Sequence, residues 1–230
     1  MTTLLLLDAS ARPFSSATHR HGSHTRRLTA RFLARWRAMR PDDAVIHRDI
    51  GRDPPQPVNA DWIHAAFTPP EKREPWMREA LKPSDRLIDE VLVADLIVAG
   101  VPMYNFGPPA QFKAYIDNIV RVGRTFGFDR ARQGEPYWPL LAEQAKTLVL
   151  FSSRGDYGYD PDGRIAAMNH VESSIRTAFG YIGITDVASV AIEYDEFGDE
   201  RLMSSIAQAE QAADDLVDRL IARRSLGRAA

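Results

Sequence analysis

Val101-Pro-Met-Tyr-Asn-Phe-Gly-Pro-Pro-Ala-Gln-Phe-Lys-Ala-Tyr-Ile-Asp-Asn-Ile-Val-Arg-Val-Gly123 holds a strand end, an aromatic loop and a helix start within a few residues. The run that leads into it, Leu96-Ile-Val-Ala-Gly-Val101, is short and continuously apolar, the pattern of a parallel strand covered on both faces. Pro102 cannot donate to a sheet ladder, so the strand should end there. From Gln111, the apolar residues Phe112, Tyr115, Ile116, Ile119 and Val120 recur at helical spacing; Pro108 and Pro109 suit the helix entry and Gly123 the exit. Met103-Tyr-Asn-Phe106 therefore lies at the carboxyl end of a strand, where open α/β sheets bind ligands.

Strand and helix patterns alternate outward from this stretch. Towards the N-terminus, Leu4 to Leu7 reads as a buried strand and Thr25 begins a helix with Leu28, Phe32, Leu33 and Trp36 on one stripe. The arginines at 26, 27, 31, 35 and 37 read as its solvated face. Val45 to Asp49 is a second, more polar strand near a sheet edge. Gly51 to Lys82 is rich in proline and reads as irregular, a functional excursion or a lid, after which Ser84 can cap a helix carrying Leu87, Ile88, Val91 and Leu92. Towards the C-terminus, Arg124 to Pro139 reads as a loop, Lys146 to Phe151 as a fourth strand and Ile165 to Gly180 as a helix. Val187 to Ile192 is a fifth strand, and a last helix spans roughly 200–223. Five strands alternating with helices predict a doubly wound parallel α/β sheet of order 2-1-3-4-5 with helices on both faces. In that order the loops after the first and third strands face one crevice.

The chain has 230 residues, 44% of them hydrophobic, enough for one sizeable core, and no compositional shift forces a split into domains. A formal net charge of -2 gives no reason to expect nucleic acid or an anionic membrane as a partner. With no cysteine there is no disulfide framework, thiolate nucleophile or cysteine-ligated metal, which suits a cytoplasmic protein. The first residues lack the basic leader and long apolar region of a signal peptide, and no stretch approaches the roughly 20 apolar residues of a membrane span.

The loop from Ser10 to Thr25 is rich in hydroxyl side chains: Ser10, Ser15, Ser16, Thr18, Ser23 and Thr25. It contains neither a dinucleotide Gly-x-Gly-x-x-Gly fingerprint nor a Gly-x4-Gly-Lys-Ser/Thr loop. A helix N-terminus ringed by hydroxyls is a good site for a phosphate monoester, although local sequence alone favours the simpler reading that Ser23 or Thr25 just caps the helix. His19, His21 and His24 lack carboxylates at matching spacing, so no metal site is expected. An aromatic pair flanking an amide, as in Tyr104-Asn-Phe106, suits a flat heteroaromatic ring, although plain core packing would use similar residues.

Pro102-Met-Tyr-Asn-Phe106, followed by Gln111-Phe-Lys-Ala-Tyr-Ile-Asp117 and Arg121-Val-Gly-Arg-Thr-Phe126, resembles the FMN-dependent NADH-azoreductase and quinone reductase family of flavodoxin-like fold. Ser152-Ser-Arg-Gly155 and Gly180-Tyr-Ile-Gly-Ile-Thr-Asp-Val187 are similar to later motifs of that family, in the same order. The resemblance covers essentially the whole chain. It implies one flavodoxin-like domain over 1–230, a three-layer sandwich with the excursion at about 51–82, working as a homodimer with the flavin site at the interface. It further implies that Ser10 and Ser23-His24-Thr25 hold the FMN phosphate. Met103, Tyr104, Asn105 and Phe106 would contact the ribityl chain and ring, and Ser153, Arg154, Gly155 and Asp156 would lie along the ring's other edge. Phe126, Phe128, Tyr181 and Arg124 become candidates for the substrate pocket.

The activity implied is two-electron reduction of quinones or azo compounds by NADH or NADPH in a ping-pong cycle, with the flavin and no protein nucleophile carrying the chemistry. Asp156 and Arg124 depart from the family pattern and place charge near the expected substrate mouth. Two rival functions share the fold. A single-electron carrier is disfavoured by the near-neutral charge and the 51–82 excursion, and a flavin-free binding module by the intact aromatic loop.

Overall fold

The computed structural model describes residues 1–14 and 22–226, with the side chain of residue 226 excepted. Five strands, β1 (Thr3–Asp8), β2 (Ala44–Arg48), β3 (Leu96–Gly100), β6 (Thr147–Ser153) and β7 (Asp186–Ile192), form a parallel sheet of order β2-β1-β3-β6-β7. This is the expected order, with the more polar β2 at one edge. Side chains alternate across the strands. Leu5, Leu7, Ile97, Ala99, Leu148 and Leu150 face one layer, built from α3 (Pro75–Val93), α4 (Ala110–Ile119) and α5 (His170–Ile182). Leu4, Leu6, Leu96, Val98, Val149 and Phe151 face the other, built from α1 (His24–Met39) and α6 (Glu200–Leu226). Covering both faces explains why these strands read as unbroken apolar runs. Each fully buried leucine or isoleucine contributes about 1.5–3 kcal/mol relative to exposure.

Five stretches differ from the sequence expectation. The 51–82 segment holds α2 (Ala60–Phe67), capped by Asn59 Oδ1 accepting from Trp62 N–H at 2.9 Å, and the first turns of α3. Trp62, Ala65, Ala66, Met77 and Leu81 make a small core of their own there. Ser84 does not cap α3. That helix starts at Pro75 and runs through Pro83, so Ser84 is buried in mid-helix and its Oγ donates to the Asn118 carbonyl at 2.6 Å. Within 124–139, β4 (Phe126–Phe128) and β5 (Tyr137–Pro139) pair as a short antiparallel hairpin. Strands of three residues leave no periodicity to read. α5 starts at His170 behind an Asn169 cap, and α4 already ends at Ile119.

The arginines of α1 are not simply solvated. Arg27, Arg31 and Arg35 meet Glu210, Asp214 and Asp218 of α6, so two helical rows spaced by four residues zip together. No helix is long and apolar enough to cross a membrane among the described residues.

Candidate functional site

The parallel register decides where the chemistry gathers. Asp8 pairs with Gly100, Gly100 with Phe151 and Ser153 with Ile192, so the chain leaves β1, β3, β6 and β7 at one rim of the sheet. The loops are then tied to one another. Met103 N–H donates to the Ser153 carbonyl at 2.9 Å, Ala11 N–H to Tyr104 Oη at 3.2 Å, and Glu196 N–H to the Gly155 carbonyl at 3.1 Å. Between them lies a crevice of about 290 Å³ lined by Ser10, Arg12, Ser23, His24, Pro102, Met103, Tyr104, Asn105, Ser153, Gly155, Asp195 and Glu196.

The aromatic loop is a tight reversal. Tyr104 N–H donates to the Gly107 carbonyl at 2.9 Å and Gly107 N–H returns to Tyr104 at 3.2 Å. The two central residues, Asn105 and Phe106, both adopt positive φ, 48° and 72°. That is the signature of a type I′ turn, a conformation asparagine tolerates and phenylalanine does not favour. The Phe106 carbonyl accepts from His170 N–H at 2.9 Å, which anchors the turn to the start of α5. Asn105 is thereby held at the wall of the crevice, while Phe106 points outward and is 44% exposed.

At the other end of the crevice, Ser23 caps α1. Its Oγ accepts from Arg26 N–H at 3.2 Å and shares a hydrogen bond with Thr25 Oγ1 at 3.0 Å. Thr25 is fully buried under this cap and does not line the crevice. The first turn of α1 contains no acidic residue, leaving its positive end uncompensated from within the helix. His24 Nε2 pairs with Asp195 Oδ1 at 2.9 Å, and Arg12 reaches Asp195 Oδ2 at 3.1 Å. The His24 hydrogen bond is the main force holding the Asp195 carboxyl below the usual carboxylate range; burial opposes it and Arg12 assists. Ser15, Ser16, Thr18, His19 and His21 lie outside the described residues.

Several expected site residues lie elsewhere. Arg154 is 2% exposed and turned away from the crevice: Nη2 reaches Glu172 Oε1 at 2.6 Å, and Nη1 reaches Asp160 at 2.8 Å and Glu193 at 2.9 Å. Burial works against its charge, but Glu172 and Asp160 outweigh burial and hold the guanidinium pKa above its ordinary value. Asp156 pairs with Arg164 at 2.6 Å on the outer surface. Arg124 is bound to Asp85 and Asp89 of α3, so its charge is met there and not at the crevice. Phe126, Phe128 and Tyr181 join Tyr137 in an aromatic cluster between the β4–β5 hairpin and α5, with Phe126 and Tyr181 edge to face at 5.1 Å and Phe128 stacked on Tyr137 at 4.7 Å. None of the three lines the crevice of its own chain.

Arg12, Pro102, Asp195 and Glu196 line the crevice without having been named as site residues. One signal could have found two of them, and another could have set Arg154 aside. Asp195 and Glu196 follow the fifth strand, at the same carboxyl rim as the other loops. The period-two alternation of extended chain, carried just past β6, puts Ser153 and Gly155 on one side and Arg154 on the other.

A family model for the flavodoxin-like fold matches residues 2–217. The "FMN-dependent NADH:quinone oxidoreductase 2" of Idiomarina loihiensis is 42% identical over 220 residues, covering 96% of this chain and 91% of the relative. The "FMN-dependent NADH:quinone oxidoreductase" of Nostoc punctiforme is 41% identical over 217 residues, covering 94% and 98%. The chain belongs to this flavodoxin-like family. A solved azoreductase from Bacillus anthracis shares its fold with a TM-score of 0.81 at 24% identity, covering 95% of this chain and 100% of that one.

The crevice of this flavodoxin-like chain suits FMN on three structural grounds. Its α1 end offers helix N–H groups without intrahelical acceptors, together with Ser10, Ser23, Arg12 and His24, a donor set for a phosphate. His24 Nδ1 is buried without a partner among the described residues. Gly155, on the same crevice lining as Asn105, leaves a strip of bare backbone, where a Cβ would stand 2.5 Å from Glu196 Oε1 and push that side chain aside.

Proposed function

We propose that the protein is an FMN-dependent NADH:quinone oxidoreductase that also accepts azo compounds, built as a single domain and acting as a homodimer. The observation that carries this reading is the crevice itself. An anion-suited helix start and an amide-bearing aromatic turn face each other across the switch point of the sheet, in a chain about 40% identical to oxidoreductases of that name.

In this reading Ser10, Arg12, Ser23 and His24 hold the phosphate, with Asp195 keeping Arg12 and His24 in place. Asn105 offers its amide to the polar edge of the ring, and the Ser153–Gly155 backbone lies along the ring's far side. When bound, FMN supplies the two-electron chemistry, accepting a hydride from NADH and delivering the electrons to a quinone or azo acceptor in a separate half-reaction. The chain's own part is to bind, orient and exclude water. Phe128, Tyr137 and Tyr181 are 37%, 47% and 41% exposed, and Tyr181 also lines a groove in which Ile116, Val120 and Ala178 alternate with Asp117, His170, Ser173, Ser174 and Thr177. A second copy of this chain would cover that face and lend its aromatic residues to the crevice mouth.

Steady-state rates measured with NADH and a benzoquinone varied together test the cycle. Parallel double-reciprocal lines are expected; lines that intersect would require both substrates on the enzyme at once and overturn it.

A further inference from the structure

Arg26 is a long charged side chain, 7% exposed, lying beneath the first loop and outside the crevice lining. Its fork makes four hydrogen bonds, and Asp8 Oδ2 lies 3.8 Å from Nη1. Nη2 donates to the Ser10 carbonyl at 2.7 Å and to Asp49 Oδ1 at 2.6 Å; Nη1 donates to Asp49 Oδ2 at 2.7 Å; Nε donates to the Arg12 carbonyl at 2.9 Å. Asp49 follows β2, so a bidentate carboxylate from the sheet edge fixes a guanidinium from α1, which grips two carbonyls of the β1 loop. Burial opposes the charge on Arg26, yet Asp49 and the nearby Asp8 carboxylate together leave its pKa above the ordinary value. Gly51 closes the back of this arrangement: a Cβ there would stand 2.0 Å from the Ser10 carbonyl oxygen and 2.8 Å from Arg26 Nη2.

The direction of the pull matters. In a planar trans peptide the C=O and the following N–H point in opposite directions. Drawing the Ser10 carbonyl down to Arg26 therefore aims Ala11 N–H the other way, where it donates to Tyr104 Oη at 3.2 Å. It also keeps two carbonyl oxygens, which would repel an anion, facing away from the crevice.

We propose that Arg26, braced by Asp49, is the positioning residue of the phosphate end of the flavin site, acting through the peptides of Ser10 and Arg12 without touching the ligand. This rests on the reading that the phosphate lies at Ser10 and the start of α1. Two flavins separate the role from general support: FMN carries the phosphate and riboflavin does not, while both present the same ring to Asn105.

Dissociation constants for FMN and riboflavin, measured by quenching of flavin fluorescence, are compared in the wild-type chain and in Arg26→Met, Arg26→Lys and Asp49→Asn. The wild type is expected to prefer FMN. Arg26→Met is expected to weaken FMN by about tenfold or more and riboflavin by no more than about twofold, with Arg26→Lys recovering only part of the loss because an ammonium cannot reproduce the fork. Asp49→Asn should shift the ratio in the same direction, and it or Arg26→Lys carries the test if Arg26→Met does not fold. An unchanged FMN-to-riboflavin ratio in the variants, or an equal loss of both flavins, would overturn the positioning role while leaving the site intact. A wild type that binds both flavins equally would overturn the phosphate assignment itself.

Discussion

Asn105 and Phe106 hold a left-handed turn, which costs Phe106 about 1–2 kcal/mol and Asn105 less. Strain of this kind persists where the surroundings over-determine it, here through the paired hydrogen bonds of Tyr104 with Gly107 and the tie from His170. The side chain of Asn105 and its backbone strain make separable predictions. Asn105→Gly relieves the backbone and deletes the amide, so thermal stability should hold or rise while FMN affinity falls about tenfold, the worth of one good hydrogen bond to a polar ring edge. Calorimetry and a flavin titration on the same sample check both halves. Undiminished FMN affinity would remove Asn105 from the site.

The segment after β6 depends on a charge cluster hidden behind it. Arg154 binds Glu172 of α5, Glu193 after β7 and Asp160, while Glu193 also accepts from Gly158 N–H at 3.0 Å and Tyr159 N–H at 3.1 Å. Removing one partner leaves buried charge unmatched, so Arg154→Met should cost about 3–5 kcal/mol in denaturant unfolding. For Glu172, burial raises the carboxyl pKa, but Arg154 and Ser152 more than reverse this and hold it low. A depressed folded pKa contributes stability above the unfolded value of about 4.3 and loses it as pH falls through the folded pKa. Glu172→Gln should thus be less stable than wild type near neutral pH, with the gap closing below about pH 4. A gap that persists undiminished into strong acid would place the stabilisation elsewhere.

What the sequence reveals at this level follows from what carries a period. Buried strands such as Leu96 to Gly100 are legible because both faces are covered, and α4 because its stripe and its entry prolines agree. α3 is obscured by Pro83, which reads as a boundary although Met77, Leu81, Leu87, Ile88 and Val91 keep one buried stripe on both sides of it. The crevice residues Ser10, Ser23, His24, Met103, Tyr104, Asn105, Ser153 and Gly155 lie where motif and rim position agree. Arg26 and Asp49 carry no motif, since their relation exists only once β2 is laid beside β1.

For the molecule as a whole, the aromatic cluster of the β4–β5 hairpin is the part that its own crevice does not use. If a second chain covers it, Tyr181→Asp, which places a charge among Phe126, Tyr137 and the apolar residues of the groove, should convert a dimer to a monomer by light scattering and reduce quinone turnover together. A variant that remains dimeric and fully active would free that face from both roles.

If one crevice binds FMN and cycles it between NADH and a quinone, both half-reactions can be read in the visible absorption spectrum of the purified, FMN-loaded protein under anaerobic conditions, first with NADH and then with a benzoquinone. The flavin bands should bleach on NADH addition and return fully with the quinone. Bound flavin that NADH leaves unbleached, or a protein that retains no flavin, would contradict this cycle.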